Sequence, residues 1–125
     1  MRIGVPTAAK TGEAGAEAPI YGHFGSAPSF VIVDTDKGTF EIVENSGREH
    51  EHGQCNPFQS LESHAVQALV TGGIGQRALQ LLHQRTIKVY RASAERNVAE
   101  AVLSLRSGKL QEISLSDACA HHGDH

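Results

Sequence analysis

Histidine and cysteine residues are concentrated in three short segments of this chain, and both residue types are common metal ligands. The sequence has eight histidines and two cysteines among 125 residues, and of these only His64 and His83 lie apart from the three segments. Imidazole and thiolate are softer ligands than carboxylate, and they suit zinc, copper and iron–sulfur species. The uneven placement therefore predicts metal chemistry.

Two of the segments hold several possible ligands close together. One is the predicted loop His50–Cys55, and the other is the C-terminal segment Cys119–His125. The candidate metal ligands in these segments are His50, His52, Cys55, Cys119, His121 and His122. Neither set alone has the paired spacing of a structural zinc finger, but each could complete the other if the tail folds back to the loop. His/Cys-rich tracts commonly indicate metal binding; the alternative is a frayed, solvated chain end.

The third segment places His23 in a short turn before a β-strand. The sequence Gly22-His-Phe-Gly25 leads into the strand predicted for Ser29–Asp34. A side chain just before a strand has a rigid support and still lies near solvent, where a ligand can reach it. The two flanking glycines carry no Cβ that would block a bulky ligand. His23 is therefore the first candidate for a binding site.

Apolar patterns predict five strands and about three helices around these segments. The predicted strands are Arg2–Pro6, Ser29–Asp34, Thr39–Glu44, Val66–Thr71 and Ile87–Arg91. An Asp/Gly-rich link joins the second and third strands into a hairpin. Helices are expected to begin at the caps Asn56 and Asn97 and after the glycine-rich turn Gly72–Gly75. A flexible loop is expected over Thr7–Ala18.

The order of these elements predicts a single-domain α/β fold. Strand–helix alternation in the second half implies parallel strands with right-handed crossovers, and the hairpin adds an antiparallel edge. The expected result is a mixed five-stranded sheet with about three helices on its faces. Residues 1–116 would form this domain, and residues 117–125 would form the His/Cys tail. A chain of this length is the usual size of one domain.

Charge and hydropathy argue against two classes of partner. The net charge of −3 and the pI near 6.2 give no basic surface for nucleic acid. No apolar run approaches the ~20 residues of a membrane span, and no apolar signal segment follows Met1. The expected location is the cytoplasm, where both cysteines would remain thiols.

Short motifs spread over most of the chain resemble one known family. They are Arg2–Pro6, His23-Phe-Gly25 with Phe30 behind it, Val70–Gly75, Gln76–Leu79, Ile87–Tyr90 and the ending with Cys119, His121 and His122. Their order and spacing, from residue 2 to about residue 108, resemble the dinitrogenase iron–molybdenum cofactor biosynthesis domain of the NifX and NafY proteins and their stand-alone relatives. The resemblance implies a compact ribonuclease-H-like α/β fold, in agreement with the predicted order of elements.

The resemblance also implies a function. Members of this family carry or protect metal–sulfur clusters of the iron–molybdenum cofactor type or their precursors, and a relative from sulfate reducers holds a molybdenum–copper sulfide cluster. The histidine of the His-Phe-Gly turn is linked to cluster binding in the family, so His23, Phe24 and Gly25 are the candidate cofactor-binding residues here. The expected role is non-enzymatic carriage of an iron-, molybdenum- or copper-containing cluster, exchanged with donor or acceptor proteins.

Other functions remain as alternatives. One is a small zinc- or copper-binding or redox-accessory module that uses the loop and the tail. Nucleotide binding rests on the pattern Gly73-x-Gly75-x-x-Ala78, but Arg91 stands where the dinucleotide pattern expects an acidic residue. Nuclease chemistry needs several carboxylates gathered around metal ions, and the first strand carries none.

Overall fold

The computed structural model describes residues 1–10, 12–44 and 57–114. In chain order the strands are β1 (Arg2–Thr7), β2 (Ser29–Asp34), β3 (Thr39–Glu44), β4 (Ala68–Thr71), β5 (Lys88–Arg91) and β6 (Gln111–Glu112). The helices are α1 (Pro57–Ser63), α2 (Gln76–Gln84) and α3 (Val98–Arg106), and a short 3-10 helix covers Gly15–Glu17. Among these described residues, no helix is both long and apolar enough to cross a membrane.

The six strands form one mixed sheet in the order β3-β2-β1-β4-β5-β6. Strands β1, β4 and β5 run parallel to one another, while β2 and β3 form the predicted antiparallel hairpin and β6 lies antiparallel to β5. The predicted mixed α/β domain with three helices is confirmed, but the predicted count of five strands is wrong. The ribonuclease-H-like description stays a prediction.

The sixth strand escapes sequence analysis because it is short, polar and exposed. It consists of Gln111 and Glu112, and neither residue is buried. Hydrogen bonds with β5, and not an apolar pattern, hold it in the sheet. The backbone N–H of the next residue, Ile113, donates to the carbonyl of Val89 at 2.7 Å, and the buried Ile113 side chain anchors this end.

Both faces of the sheet are covered, so the central strands β1, β2 and β4 consist almost entirely of buried residues. The 3-10 helix and α3 cover one face, where the core includes Ile3, Val5, Ala18, Val31, Val70 and Val98. Helices α1 and α2 cover the other face, where the core includes Phe24, Phe30, Leu61, Leu69, Leu79 and Val89. The connections between strands are therefore divided between two faces, and this division places the candidate site.

Two segments differ from their predicted form by more than a single residue at one end. The strand predicted from Val66 begins at Ala68, because Ala65 has a φ of 57° and the Val66 N–H turns back to the carbonyl of Leu61 at 3.0 Å. The segment predicted as a flexible loop contains the 3-10 helix, which packs on β3. A Cβ at Gly15 would lie 3.0 Å from the Cβ of a β3 residue, so the glycine permits this close packing.

The cap of α3 connects this helix to the segment that precedes the His23 turn. The Asn97 side chain accepts a hydrogen bond from the N–H of Glu100 at 2.9 Å, as the sequence pattern predicts. The Val98 N–H donates to the carbonyl of Ala18 at 2.9 Å.

The variant Asn97→Ala is expected to lower the free energy of unfolding by about 1 kcal/mol, because it removes the acceptor for one helix N–H. Urea denaturation of wild type and variant measures this change. The control is Ser107→Ala at the opposite end of α3, where the exposed residue contributes only its backbone to the cap. Equal losses in the two variants would mean that the Asn97 side chain contributes nothing as a cap.

Candidate functional site

The carboxyl ends of the parallel strands β1, β4 and β5 meet at one edge of the sheet, which we call the carboxyl edge. Thr7, Thr71 and Arg91 are the last residues of these strands. The chain leaves β1 toward the face covered by α3, and it leaves β4 toward the face covered by α2. In open α/β sheets, ligands bind in the crevice where neighbouring strands send their connections to opposite faces. The crevice between β1 and β4 is therefore the place that this fold offers to a ligand.

The His23 turn, which runs from Tyr21 to Phe24, is hydrogen-bonded to both sides of this crevice. The Tyr21 N–H donates to the carbonyl of Pro6 on β1 at 2.8 Å, and the Phe24 N–H donates to the carbonyl of Gly73 after β4 at 3.1 Å. His23 lies between these two bonds and is exposed. The turn therefore presents an imidazole to solvent on a backbone that is held at both ends.

Phe24 anchors the turn in the core beneath it. Its side chain is only 1% exposed, and its ring centroid lies 5.6 Å from that of Phe30 and 5.5 Å from that of Phe58. A ring packed this deeply restrains the backbone of the residue before it. The accessible positions of the motif are His23 and Gly25, which are both exposed. A Cβ at Gly25 would meet no atom of residues 1–10, 12–44 and 57–114 within 4 Å.

The glycine-rich loop after β4 packs against the His23 turn. A Cβ at Gly73 would lie 3.0 Å from the carbonyl oxygen of Gly22, and a Cβ at Gly72 would lie 3.4 Å from the same atom. Glycine is thus needed here because two backbones approach closely. The Gly22 backbone occupies the space in front of Gly72 and Gly73, so this contact accounts for both glycines without a bound phosphate.

The other candidate ligands lie outside the described residues. They are His50, His52 and Cys55 in the loop segment and Cys119, His121 and His122 in the tail. Both described ends of the loop segment lie at the carboxyl edge, because Glu44 pairs with Ser29 at the start of β2 and Phe58 contacts Phe24. The tail follows Ser114, after the chain has run back along β5 toward the amino end of that strand.

The described part of the chain does not by itself form a metal site with several ligands. Within residues 1–10, 12–44 and 57–114, no three His, Cys, Asp or Glu residues are grouped so that they could hold a metal ion. The carboxylate of Glu95, in the loop after β5, already has hydrogen-bond partners within the protein. A hydrogen bond from the Ser104 side chain lowers the pKa of Glu95, and this effect outweighs burial, which acts to raise the pKa. The Ser93 N–H also donates to Glu95, at 2.8 Å. Because the described residues form no group of three possible ligands, a metal at His23 would need further ligands.

A small mixed α/β domain with an accessible histidine at its switch point matches one family over most of its length. The chain belongs to the dinitrogenase iron–molybdenum cofactor family, whose model matches residues 2–108. The match includes every element from β1 to α3, and with them the His23 turn and the glycine-rich loop. No functionally curated protein matches the chain.

Solved structures share this fold over nearly their whole length. The apo form of the orange protein from Desulfovibrio gigas is 28% identical with a TM-score of 0.79, and the similarity covers 90% of this chain and 92% of that one. A provisionally assigned NifB protein of the DUF35 family from Thermotoga is 28% identical with a TM-score of 0.68, covering 89% and 91%. A provisionally assigned dinitrogenase from Methanocaldococcus jannaschii, 18% identical, has a TM-score of 0.65 with 91% and 95% covered, and it supports the fold alone.

Proposed function

We propose that this protein binds and carries, or protects, a metal–sulfur cluster without catalysing a reaction. The cluster is of the iron–molybdenum cofactor type or is another sulfide cluster that contains iron, molybdenum or copper. The observation that carries the proposal is the exposed His23 on a turn fastened to both sides of the switch-point crevice, in a member of a cofactor family. A backbone ordered before binding reduces the entropy lost when the ligand binds.

A pre-assembled cluster suits a site with few protein ligands. The metals of such a cluster already have sulfide ligands, so the protein completes their coordination and does not have to supply all of it. The need for only a few protein ligands agrees with His23 as the accessible ligand. It also agrees with the space beside Gly22 and Gly25, where a Cβ would meet no atom of the described part of the chain within 4 Å. A structural zinc ion needs four ligands, whereas the described residues offer no group of three.

The loop between β3 and α1 supplies the proposed partners of His23, which are His50, His52 and Cys55. Cys55 precedes Phe58 by three residues, a length of chain that spans at most about 11 Å. The Phe58 ring lies 5.5 Å from that of Phe24, the residue next to His23. Both described ends of this loop lie at the carboxyl edge, and this position supports the loop as the second source of ligands.

The tail has less structural support as part of the same site. Its candidates, Cys119, His121 and His122, follow Ser114 at the amino end of β5. In the alternative function, a zinc or copper ion would be bound by loop and tail together, and the tail would have to return along the sheet to the opposite edge. The tail ligands stay a prediction, as does the cytoplasmic exchange of the cluster with donor or acceptor proteins.

Anaerobic purification followed by reconstitution tests the proposed function. After incubation with ferrous iron and sulfide, with and without molybdate, the desalted protein is expected to retain metal and acid-labile sulfide together. It should also absorb visible light, because metal–sulfide bonds give charge-transfer bands. A parallel sample with zinc alone serves as the control. Retention of metal without sulfide, and without visible absorption, would contradict cluster carriage and favour simple-ion binding.

A further inference from the structure

Thr71 places a buried hydroxyl at the carboxyl edge, where the glycine-rich loop begins. It is the last residue of β4, and its side chain is fully buried. Valine would fill nearly the same volume, so the hydroxyl needs its own explanation, because burying a polar group costs free energy unless it is hydrogen-bonded. The Thr71 Oγ1 donates to the carbonyl oxygen of Gly73 at 3.0 Å.

The same carbonyl oxygen holds one end of the His23 turn. The Phe24 N–H donates to it at 3.1 Å. A carbonyl oxygen has two lone pairs, so the Thr71 hydroxyl and the Phe24 amide can share it as an acceptor. His23 is the residue immediately before Phe24, so a single peptide connects the buried hydroxyl to the backbone that presents the imidazole.

The peptide at Gly73 needs such a restraint because glycine is the most flexible residue of the backbone. The carbonyl of Gly22 also lies against this residue, since a Cβ at Gly73 would be 3.0 Å from it. A rotation of the Gly73 peptide would move the acceptor away from the Phe24 amide and disturb that contact. A hydrogen bond from a rigid strand residue holds the carbonyl in one direction.

We propose that Thr71 is a positioning residue for His23 and acts through the Gly73 carbonyl. This role rests on the proposed function in one respect, namely that His23 is the residue presented to the ligand. Thr71 itself is fully buried, so it acts on the turn and not on the ligand. Its contribution is to keep the turn in its binding geometry before the ligand arrives.

Two substitutions at this position isolate the hydroxyl. Thr71→Ser and Thr71→Ala both remove the methyl group, and they differ only in whether the hydrogen bond to Gly73 is retained. The matched control is Thr7→Val on the neighbouring strand β1. Thr7 is also the last residue of its strand and fully buried, but its Oγ1 accepts a hydrogen bond from the N–H of Ala9 at 3.1 Å.

The first measurement is amide hydrogen exchange of Phe24, followed by NMR on the metal-free protein. Exchange of this amide reports the opening of its bond to Gly73. Thr71→Ala is expected to exchange roughly 2- to 12-fold faster than Thr71→Ser, the range that corresponds to the loss of one hydrogen bond. Thr7→Val is expected to leave the exchange of Phe24 unchanged.

The second measurement is loading with ferrous iron and sulfide. Thr71→Ala is expected to bind more weakly than Thr71→Ser, by at most the same roughly 2- to 12-fold, because one hydrogen bond is all that distinguishes the two variants. Unchanged Phe24 exchange, or equal acceleration in Thr7→Val, would overturn the proposal. Faster exchange with unchanged loading would overturn it as well. If wild type retains no iron and sulfide, carriage of an iron-containing cluster fails, and the exchange of Phe24 alone decides whether Thr71 holds the turn.

Discussion

Phe24→Ala is expected to lower the free energy of unfolding by about 3–5 kcal/mol, the range found when a buried aromatic ring is removed. The ring is 1% exposed and contacts both Phe30 and Phe58, so its loss would leave a cavity between β2 and α1. Urea denaturation measures the effect as a lower midpoint at an unchanged slope. The turn would also lose its anchor, so cluster loading should fall together with stability.

The control for this variant is Phe40→Ala. Phe40 is the same residue type, but it lies half-buried on the edge strand β3 and packs on the opposite face of the sheet. Its removal should cost less stability and leave loading unchanged. A loss of less than about 1 kcal/mol for Phe24→Ala, a typical value for an average substitution, would mean that the ring does not fill the core.

Much of the fold follows from local sequence patterns. The hairpin of β2 and β3 follows from two β-favouring runs with an Asp/Gly link, and the start of α3 follows from Asn97 and Glu100. The order of the strands does not follow from such patterns, because it depends on contacts between residues far apart in the chain. The strand β6 is held by pairing with β5, and a two-residue polar segment carries no signal of that pairing.

The candidate site could be predicted only in part for the same reason. The position of His23 in a glycine-flanked turn before a strand was visible in the sequence, and the structure shows this residue exposed. The hydrogen bond that holds the turn could not be predicted, because it joins the Phe24 N–H to the carbonyl of Gly73, which is far away in the sequence. In the sequence, Thr71 is an ordinary β-branched residue of a strand. The role of its hydroxyl becomes apparent only from the hydrogen bond to the Gly73 carbonyl in the structure.

His23→Ala is expected to reduce cluster loading at least about tenfold, since even an outer partner of a metal ligand commonly contributes that much. The free energy of unfolding should change by no more than about 0.5 kcal/mol, because the side chain is exposed. Iron and sulfide stoichiometry after anaerobic reconstitution, together with visible absorption, measures loading. His83→Ala, which removes a histidine from the last turn of α2, is the matched control and should load like wild type.

Gly25→Val tests the turn as the cluster site without changing the His23 imidazole. A Cβ at this position meets no atom of the described residues within 4 Å, so the added side chain would project into the space that a bulky cluster would occupy. Loading of a cluster should therefore fall while zinc binding stays unchanged.

Cys55→Ser and Cys119→Ser complete the comparison, because a simple ion held by loop and tail would be lost in these variants and retained in His23→Ala. Normal cluster loading by His23→Ala would remove this turn as the site and leave the two His/Cys sets.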